Sequence, residues 1–184
     1  MASGVVEKGN NGLFLNEIEF VGDYSQMVRY LKDTIGLFPT YREVYLISAA
    51  VGYYLNKHES QGLADAKFQP ASIFPTELMK KRSELRFIYR MIMLSEDKPE
   101  LSIEDYMNRA FRDDPDSDQT REMLKENMTV FNSYVCGGLE YLYRLFENQD
   151  SPEKVSDTLY DFVHSTIVEC GFAEEEELPE FDPE

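Results

Sequence analysis

Cys136 precedes a pair of glycines, Gly137 and Gly138, inside the stretch YVCGGLEYLYRLF that covers residues 134–146. Residues of these types could form a glycine loop that cradles a phosphate, or they could hold a reactive thiol. A phosphate-binding glycine loop lies between a strand and a helix, whereas the apolar residues of this stretch follow helical spacing. A reactive cysteine needs a positive neighbour or a helix N-terminus, and Cys136 has neither in the sequence. The stretch therefore predicts packing and no catalytic residue.

A metal site has little support in the sequence, as was the case for a phosphate-binding loop and a reactive thiol. The two histidines, His58 and His164, stand far apart, and Cys136 and Cys170 lack the spacing of a zinc site. The segment DDPDSD at residues 113–118 offers four carboxylates. An EF-hand loop also needs a central glycine and a late glutamate, and Pro115 interrupts the pattern here. We therefore predict a solvated acidic loop, and we predict no catalytic residue, metal or cofactor in the chain.

The glycine pair has a packing interpretation that involves a second segment. Two adjacent glycines cost a helix about 2 kcal/mol in intrinsic propensity, so the space that they leave should serve a close contact. The segment SAAVG at residues 48–52 is a matching band of small residues. The hypothesis is that two helices cross where these bands meet, and the alternative is an independent soft spot or bend at each. The predicted helix-packing motif consists of Ala49, Ala50, Gly52, Gly137 and Gly138.

The net charge is −17, and the acidic residues are concentrated in two segments. Seven lie in the last twelve residues, AEEEELPEFDPE, and four lie in DDPDSD. A nucleic-acid backbone is bound by clustered lysine and arginine, so direct nucleic-acid binding is disfavoured and a basic protein surface suits the chain better. The sequence shows no run of 18 apolar residues and no secretory signal. These features predict a cytoplasmic protein with free thiols and no membrane contact.

One group of basic residues stands out against this acidic balance. It lies on the third predicted helix, where Lys80 and Glu84 stand one turn apart. Such a group is usually a solvated face with local ion pairs, and the alternative is a patch that touches nucleic acid or an acidic partner. The candidate partner-contact residues are Lys80, Lys81, Arg82, Arg86 and Arg90.

Hydrophobic periodicity and capping residues predict a mainly α protein. Alternation of apolar residues predicts one short N-terminal β-strand within residues 13–22, and residues 1–12 are predicted to be disordered. A single helical domain over residues 13–172 and an acidic tail over residues 173–184 complete the organisation. About six helices are predicted, over residues 23–35, 40–58, 76–96, 102–114, 119–148 and 151–172.

Three segments carry a resemblance to a known family: FPTYREVYLISAAVGYYLNKHE, SELRFIYRMIMLSED and FNSYVCGGLEYLYRLFE. In this order they resemble the group-four accessory proteins encoded beside bacterial DNA phosphorothioation (Dnd) gene clusters. The similarity covers residues 18–150, and neither DDPDSD nor the acidic tail belongs to it. The resemblance implies a role in a prokaryotic defence or restriction system beside larger DNA-acting enzymes. It transfers no catalytic residue to this chain.

Together these features favour a non-enzymatic accessory subunit of a bacterial anti-phage or DNA-modification-linked defence system. Such a subunit would act through contacts with a larger partner, a nuclease or an ATPase of the system. Two alternatives stay open: an acidic DNA-mimic inhibitor, and a small DNA-binding module of the ribbon-helix-helix kind. The sequence also leaves open whether the protein forms a homo-oligomer.

Overall fold

The computed structural model describes residues 4–9, 11–58, 68–113 and 115–172. The strands are β1 (Val5–Lys8), β2 (Glu17–Phe20) and β3 (Ala71–Ile73). The helices are α1 (Asp23–Arg29), continued by a π-helical segment (Tyr30–Thr34), α2 (Tyr41–Tyr54), α3 (Pro75–Met79), α4 (Arg82–Ser95), α5 (Ile103–Phe111), α6 (Asp118–Phe146) and α7 (Pro152–Glu169). The predicted mainly α fold class is confirmed. In the part of the chain that the structure describes, no helix is both long enough and apolar enough to span a membrane.

The chain divides into two compact units, residues 1–143 and 144–184. The residues after position 143 cluster mainly with one another, and the single domain predicted over residues 13–172 stays a prediction. In the second unit, α7 begins as predicted, with the Ser151 side chain accepting a hydrogen bond from the Lys154 N–H at 3.3 Å. No residue of α7 is buried. The predicted acidic tail at residues 173–184 lies outside the described residues.

The first unit contains an antiparallel sheet in the order β1-β2-β3. The single predicted strand corresponds to β2, and the prediction of disorder for residues 1–12 is wrong for β1. β1 has only two apolar residues, and it is ordered by pairing with β2 along its whole length. β3 was not predicted, because three residues are too few to show an alternating pattern.

Two predicted helices differ in detail from the observed ones. The helix predicted over residues 76–96 is broken into α3 and α4, because Lys81 leaves helical geometry at φ −126° and ψ 21°. The helix after β2 is regular only to Arg29 and widens into the π-helical segment before Gly36 turns the chain with φ 67°. α5 begins with a capping box formed by Ser102 and Asp105.

Aromatic side chains fill the centre of the first unit. Phe131 of α6 contacts the rings of Phe14, Tyr45 and Tyr89, with ring centroids 5.3 to 6.1 Å apart. All four side chains are at most 1% exposed. The Tyr45 hydroxyl donates to Asn132 Oδ1 at 2.7 Å, so the buried phenol keeps a hydrogen bond inside the core. α6 is thus the central element against which the sheet, α2 and α4 are arranged.

Candidate interaction surface

The glycines of α6 lie against α2 with backbone facing backbone. A Cβ atom at Gly138 would lie 2.7 Å from the backbone nitrogen of Gly52, and closer still to the carbonyl oxygen of Ser48. A Cβ atom at Gly52 would in turn collide with the carbonyl group of Tyr134. The opposing atoms belong to backbone and cannot rotate away, so only glycine fits at these two positions. The structure thus brings together the two bands of small residues that the sequence singled out.

Gly137 contacts the chain just beyond the end of α2. There Asn56 adopts a left-handed conformation, φ 49°, and the Lys57 N–H donates to the Gly52 carbonyl at 2.8 Å. This is a Schellman C-cap, which satisfies carbonyls at the end of the helix and reverses the chain. The turn presents the Lys57 carbonyl to Gly137, where a Cβ atom would overlap it. The preceding Cys136 is 1% exposed and sits within this packed region.

The five residues of the predicted packing motif contribute unequally. The three glycines make the close backbone contacts, Ala49 is fully buried, and Ala50 is only half-buried. This arrangement supports close approach of helices. Among the described residues, no group of three or more histidine, cysteine, aspartate or glutamate side chains is placed to hold a metal ion.

The predicted basic patch is spread over two elements. Lys80 and Lys81 lie in the turn between α3 and α4, where they pair with Glu77 and Glu84. These ion pairs are exposed and contribute little to stability. Local ion pairs are present here, but Glu84 pairs with Lys81 and not with Lys80.

The three arginines of the patch also have partners within the chain. Arg82 donates through Nε to the Leu13 carbonyl at 3.2 Å, and Arg86 pairs with Asp113. Arg90 places its guanidinium 5.0 Å from the ring centroid of Phe111. The basic residues therefore join α4 to neighbouring segments of the fold.

The acidic segment at residues 113–118 is engaged by arginines more than the sequence suggested. Asp116 pairs with Arg112 at 3.2 Å, and Asp118 pairs with Arg121 at 2.6 Å. Hydrogen bonds from Thr120 and then from Arg112 lower the pKa of the Asp116 carboxyl. Asp118 remains fully exposed, as a solvated loop predicts. The segment nevertheless uses several of its acids within the chain, and Asp114 lies outside the described residues.

A surface on α4 and α5 exposes large apolar side chains that the sequence did not single out. On α4 they recur at the spacing i, i+4, i+7, on the side of the helix opposite to the buried residues Leu85, Tyr89 and Ile92. On α5 they recur at i, i+4, i+8. Their exposed fractions range from 38% to 84%. The residues, hereafter the α4–α5 face, are Phe87, Met91, Leu94, Ile103, Met107 and Phe111.

A buried polar network fixes α5 beneath this face. Arg109 is 7% exposed, and it donates to Glu96 Oε2 at 3.0 Å and to Asn127 Oδ1 at 3.1 Å. The Tyr89 hydroxyl donates to the Arg109 carbonyl at 3.0 Å and accepts from Asn127 Nδ2 at the same distance. Burial raises the pKa of Tyr89 to about 12. The network ties α4, α5 and α6 together, so the α4–α5 face rests on a rigid base.

Two apolar stripes on one helix are the signal that could have revealed this face. One stripe of α4 is buried and includes Leu85, Tyr89 and Ile92. Phe87, Met91 and Leu94 are the second stripe, and their spacing is visible in the sequence alone.

Comparison with known proteins gives one family. The family model described as DNA sulphur modification system-associated protein 4 matches residues 17–178. This range is most of the chain, so the chain belongs to that family. No curated protein and no solved structure matches the chain.

Proposed function

We propose that this member of the family is a non-enzymatic accessory subunit, working in the cytoplasm as part of an anti-phage or DNA-modification-linked defence system. Membership of the family associates the chain with a DNA sulphur modification system. The proposal adds how the chain works there: it binds a larger DNA-acting protein of the system, a nuclease or an ATPase. The binding surface is the α4–α5 face.

The observation that carries the proposal is the exposure of this face. A soluble monomer scatters single apolar side chains over its surface but rarely groups large ones on one helical hairpin. Phe87 is 65% exposed and Ile103 is 84% exposed, and each would gain about 1.5–3 kcal/mol of hydrophobic free energy on full burial. A protein partner that covers both helices would supply this gain.

The surroundings of the face suit a protein partner. Aromatic residues, methionine and arginine are enriched at protein interfaces, and all three types occur here. Arg90 stacks on Phe111 and adds a charged group beside this residue of the face. Because the network under α5 already orders the helices, binding would lose little conformational entropy.

Two other functions have weaker support. A DNA mimic displays arrayed carboxylates, but Asp113 is bound to Arg86 and Asp116 to Arg112 within the chain. A β-ribbon DNA reader must offer a strand to a second chain or to a groove. The strand predicted from the sequence is β2, and it already pairs with β1 on one side and with β3 on the other.

Co-purification tests the proposed contact. We would co-express the tagged chain with the nuclease and ATPase components of its DNA sulphur modification system and measure the affinity of any complex. The variant Phe87→Ser/Ile103→Ser should weaken binding at least about tenfold and leave the fold unchanged, since two exposed anchors are lost. Leu159→Ser on α7 is the matched control, because Leu159 is also apolar and exposed, at 39%.

The same preparation separates the alternatives. A DNA mimic would displace DNA from its partner, whereas an accessory subunit leaves or aids DNA binding. A mobility shift with DNA alone at low salt would instead support direct DNA binding. Recovery of the chain alone, as a monomer, from cells that contain all components would contradict the accessory-subunit proposal.

A further inference from the structure

Glu7 lies on the core side of the sheet, where a glutamate is unusual. Side chains alternate along β1, so Glu7 shares a face with Val5, which is 1% exposed. Its register partner on β2 is Ile18, which is fully buried. The opposite face of the same strands carries the expected solvent pair, Lys8 with Glu19 at 2.6 Å. A carboxyl group has therefore been placed where a hydrophobic residue would normally pack.

The described residues give this carboxyl group little compensation for its burial. Asn16 donates through Nδ2 to Glu7 Oε1 at 2.8 Å, and Asn16 is itself only 3% exposed. Burial raises the pKa of Glu7, and the hydrogen bond from Asn16 offsets this only in part. Glu7 is half-buried, and a carboxylate on the core side of a sheet with one neutral donor is costly for a fold to maintain. Such groups are candidates for functional sites.

Glu7 and Asn16 line a cavity between the sheet and the first half of α6. Its volume is about 600 Å³, within the range of small-molecule sites. The apolar part of its wall comes from Val5, Leu13, Leu124 and Met128, all nearly fully buried. The cavity thus combines an apolar wall with a few converging polar groups, which is the composition of a ligand pocket.

We propose that this cavity binds a small organic cation, with an ammonium or guanidinium group on the Glu7 carboxylate and an apolar body against Leu13, Leu124 and Met128. The inference does not depend on the proposed partner contact, because the α4–α5 face lies on other elements. Binding would give the half-buried carboxylate the charged hydrogen-bond donor that it lacks among the described residues.

The polar groups of the cavity select a donor and disfavour a metal ion. Asn16 Oδ1 already accepts from the Asn11 N–H at 2.9 Å. Asn132 Oδ1, in the same lining, accepts from the Tyr45 hydroxyl at 2.7 Å. With both amide oxygens engaged, the carboxylates of the lining are Glu7 and the exposed Glu122. Two carboxylates supply too few oxygens for an ion that needs six oxygen ligands, whereas Glu7 alone can accept from an N–H donor.

Two cations on α6 also line the cavity, and each has an acidic partner. Arg121 pairs with Asp118 at 2.6 Å, and Lys125 lies 3.8 Å from Glu122. Each pair is formed one turn apart on the exposed side of the helix, so the charges largely cancel at the entrance. They do not prevent a positively charged group from reaching Glu7.

Calorimetric titration with two matched probes tests the proposal. Hexylamine, which is protonated at neutral pH, and 1-hexanol have the same apolar chain and differ in the head group. The full chain should bind hexylamine at least about tenfold more tightly than 1-hexanol. Glu7→Gln should abolish that preference, whereas Glu126→Gln, an exposed carboxylate on α6 outside the lining, should keep it.

A second variant keeps the test decisive if Glu7→Gln does not fold. Thr129→Trp changes an exposed residue at the edge of the cavity and should weaken both probes by blocking entry. Equal affinity for the two probes, no binding of hexylamine to the full chain, or unchanged binding in Thr129→Trp would each overturn the proposal.

Discussion

Two regions of the molecule differ in the size and exposure of their residues. One is the contact between α2 and α6, and the other is the α4–α5 face. In the first, Gly52 and Gly138 remove side chains so that two backbones can touch. In the second, Phe87 and Ile103 place large apolar side chains where water reaches them. The first region loses helix propensity and gains contact within the chain, and the second forgoes hydrophobic burial within the chain.

The difference separates a region that holds the fold together from a region where we propose that a partner binds. Substitutions at the glycine contact should act on folding, because its atoms have no room to move. Substitutions on the α4–α5 face should act on binding and leave folding unchanged. Four substitutions or conditions separate the two regions, and their expected effects on the free energy of unfolding decrease in the order given below.

Gly138→Leu should have the largest effect, a loss of about 3 kcal/mol or more, because the new side chain meets the backbone of Ser48 and Gly52. Urea denaturation measures the change. Gly138→Ala sharpens the test: at a free helix position it would stabilise by nearly 1 kcal/mol, whereas here we expect destabilisation. The control Gly36→Ala meets nothing within 4 Å and should lose only about 1 kcal/mol to left-handed strain.

Arg109→Met should cost about 2–3 kcal/mol, since it leaves Glu96 and Asn127 without their buried donor. Arg112→Met is the matched control on the next turn, where an exposed ion pair to Asp116 is worth about 0.5 kcal/mol. Thermal unfolding of the two variants should therefore differ clearly. Equal losses of stability in the two variants would mean that the buried network of Arg109 does not hold α5 in place.

Alkaline titration should reveal Tyr89 as a buried phenol. Its pKa is about 12 in the folded chain, above the ordinary value of 10.0, so the folded state holds the proton more tightly. The corresponding stability is complete below about pH 10 and is lost as the pH rises towards 12, on the order of 2 kcal/mol in total. The difference between wild type and Tyr89→Phe in urea denaturation across this range isolates that contribution.

Phe87→Gln/Met91→Gln should have the smallest effect on unfolding, within about 0.5 kcal/mol, because both side chains are already exposed. The same variant should bind less of a hydrophobic fluorescent dye and elute earlier from a hydrophobic-interaction column. A loss of stability comparable to that of Arg109→Met would show that these side chains belong to the core after all.

The glycine contact could be predicted from the sequence, whereas the α4–α5 face was not predicted. Gly137 and Gly138 were informative because two glycines in a helix need a structural reason, and SAAVG offered one. The α4–α5 face was not anticipated, because helical period identifies apolar stripes but cannot say which of two stripes is buried. Arg109 was missed for a related reason: arginine is normally exposed, and its partners Glu96 and Asn127 stand many residues away.

The sheet was the hardest part of the fold to predict. β1 and β3 owe their order to pairing with β2, and β3 is separated from it by about fifty residues of chain. Glu7 compounds the difficulty, because a charged residue in an interior position breaks the alternation that identifies a strand. The cavity that it lines could only be recognised once the register of the sheet was known.

The glycine contact also has a consequence for when the first unit can fold during synthesis. Ser48 and Gly138 are about 90 residues apart in sequence, yet their backbones meet. A nascent chain that has emerged only as far as α5 contains α2 but not the helix that fits its band of small residues. Closing so long a loop is slow and costs chain entropy, so the first unit completes its folding only after most of α6 has been synthesised.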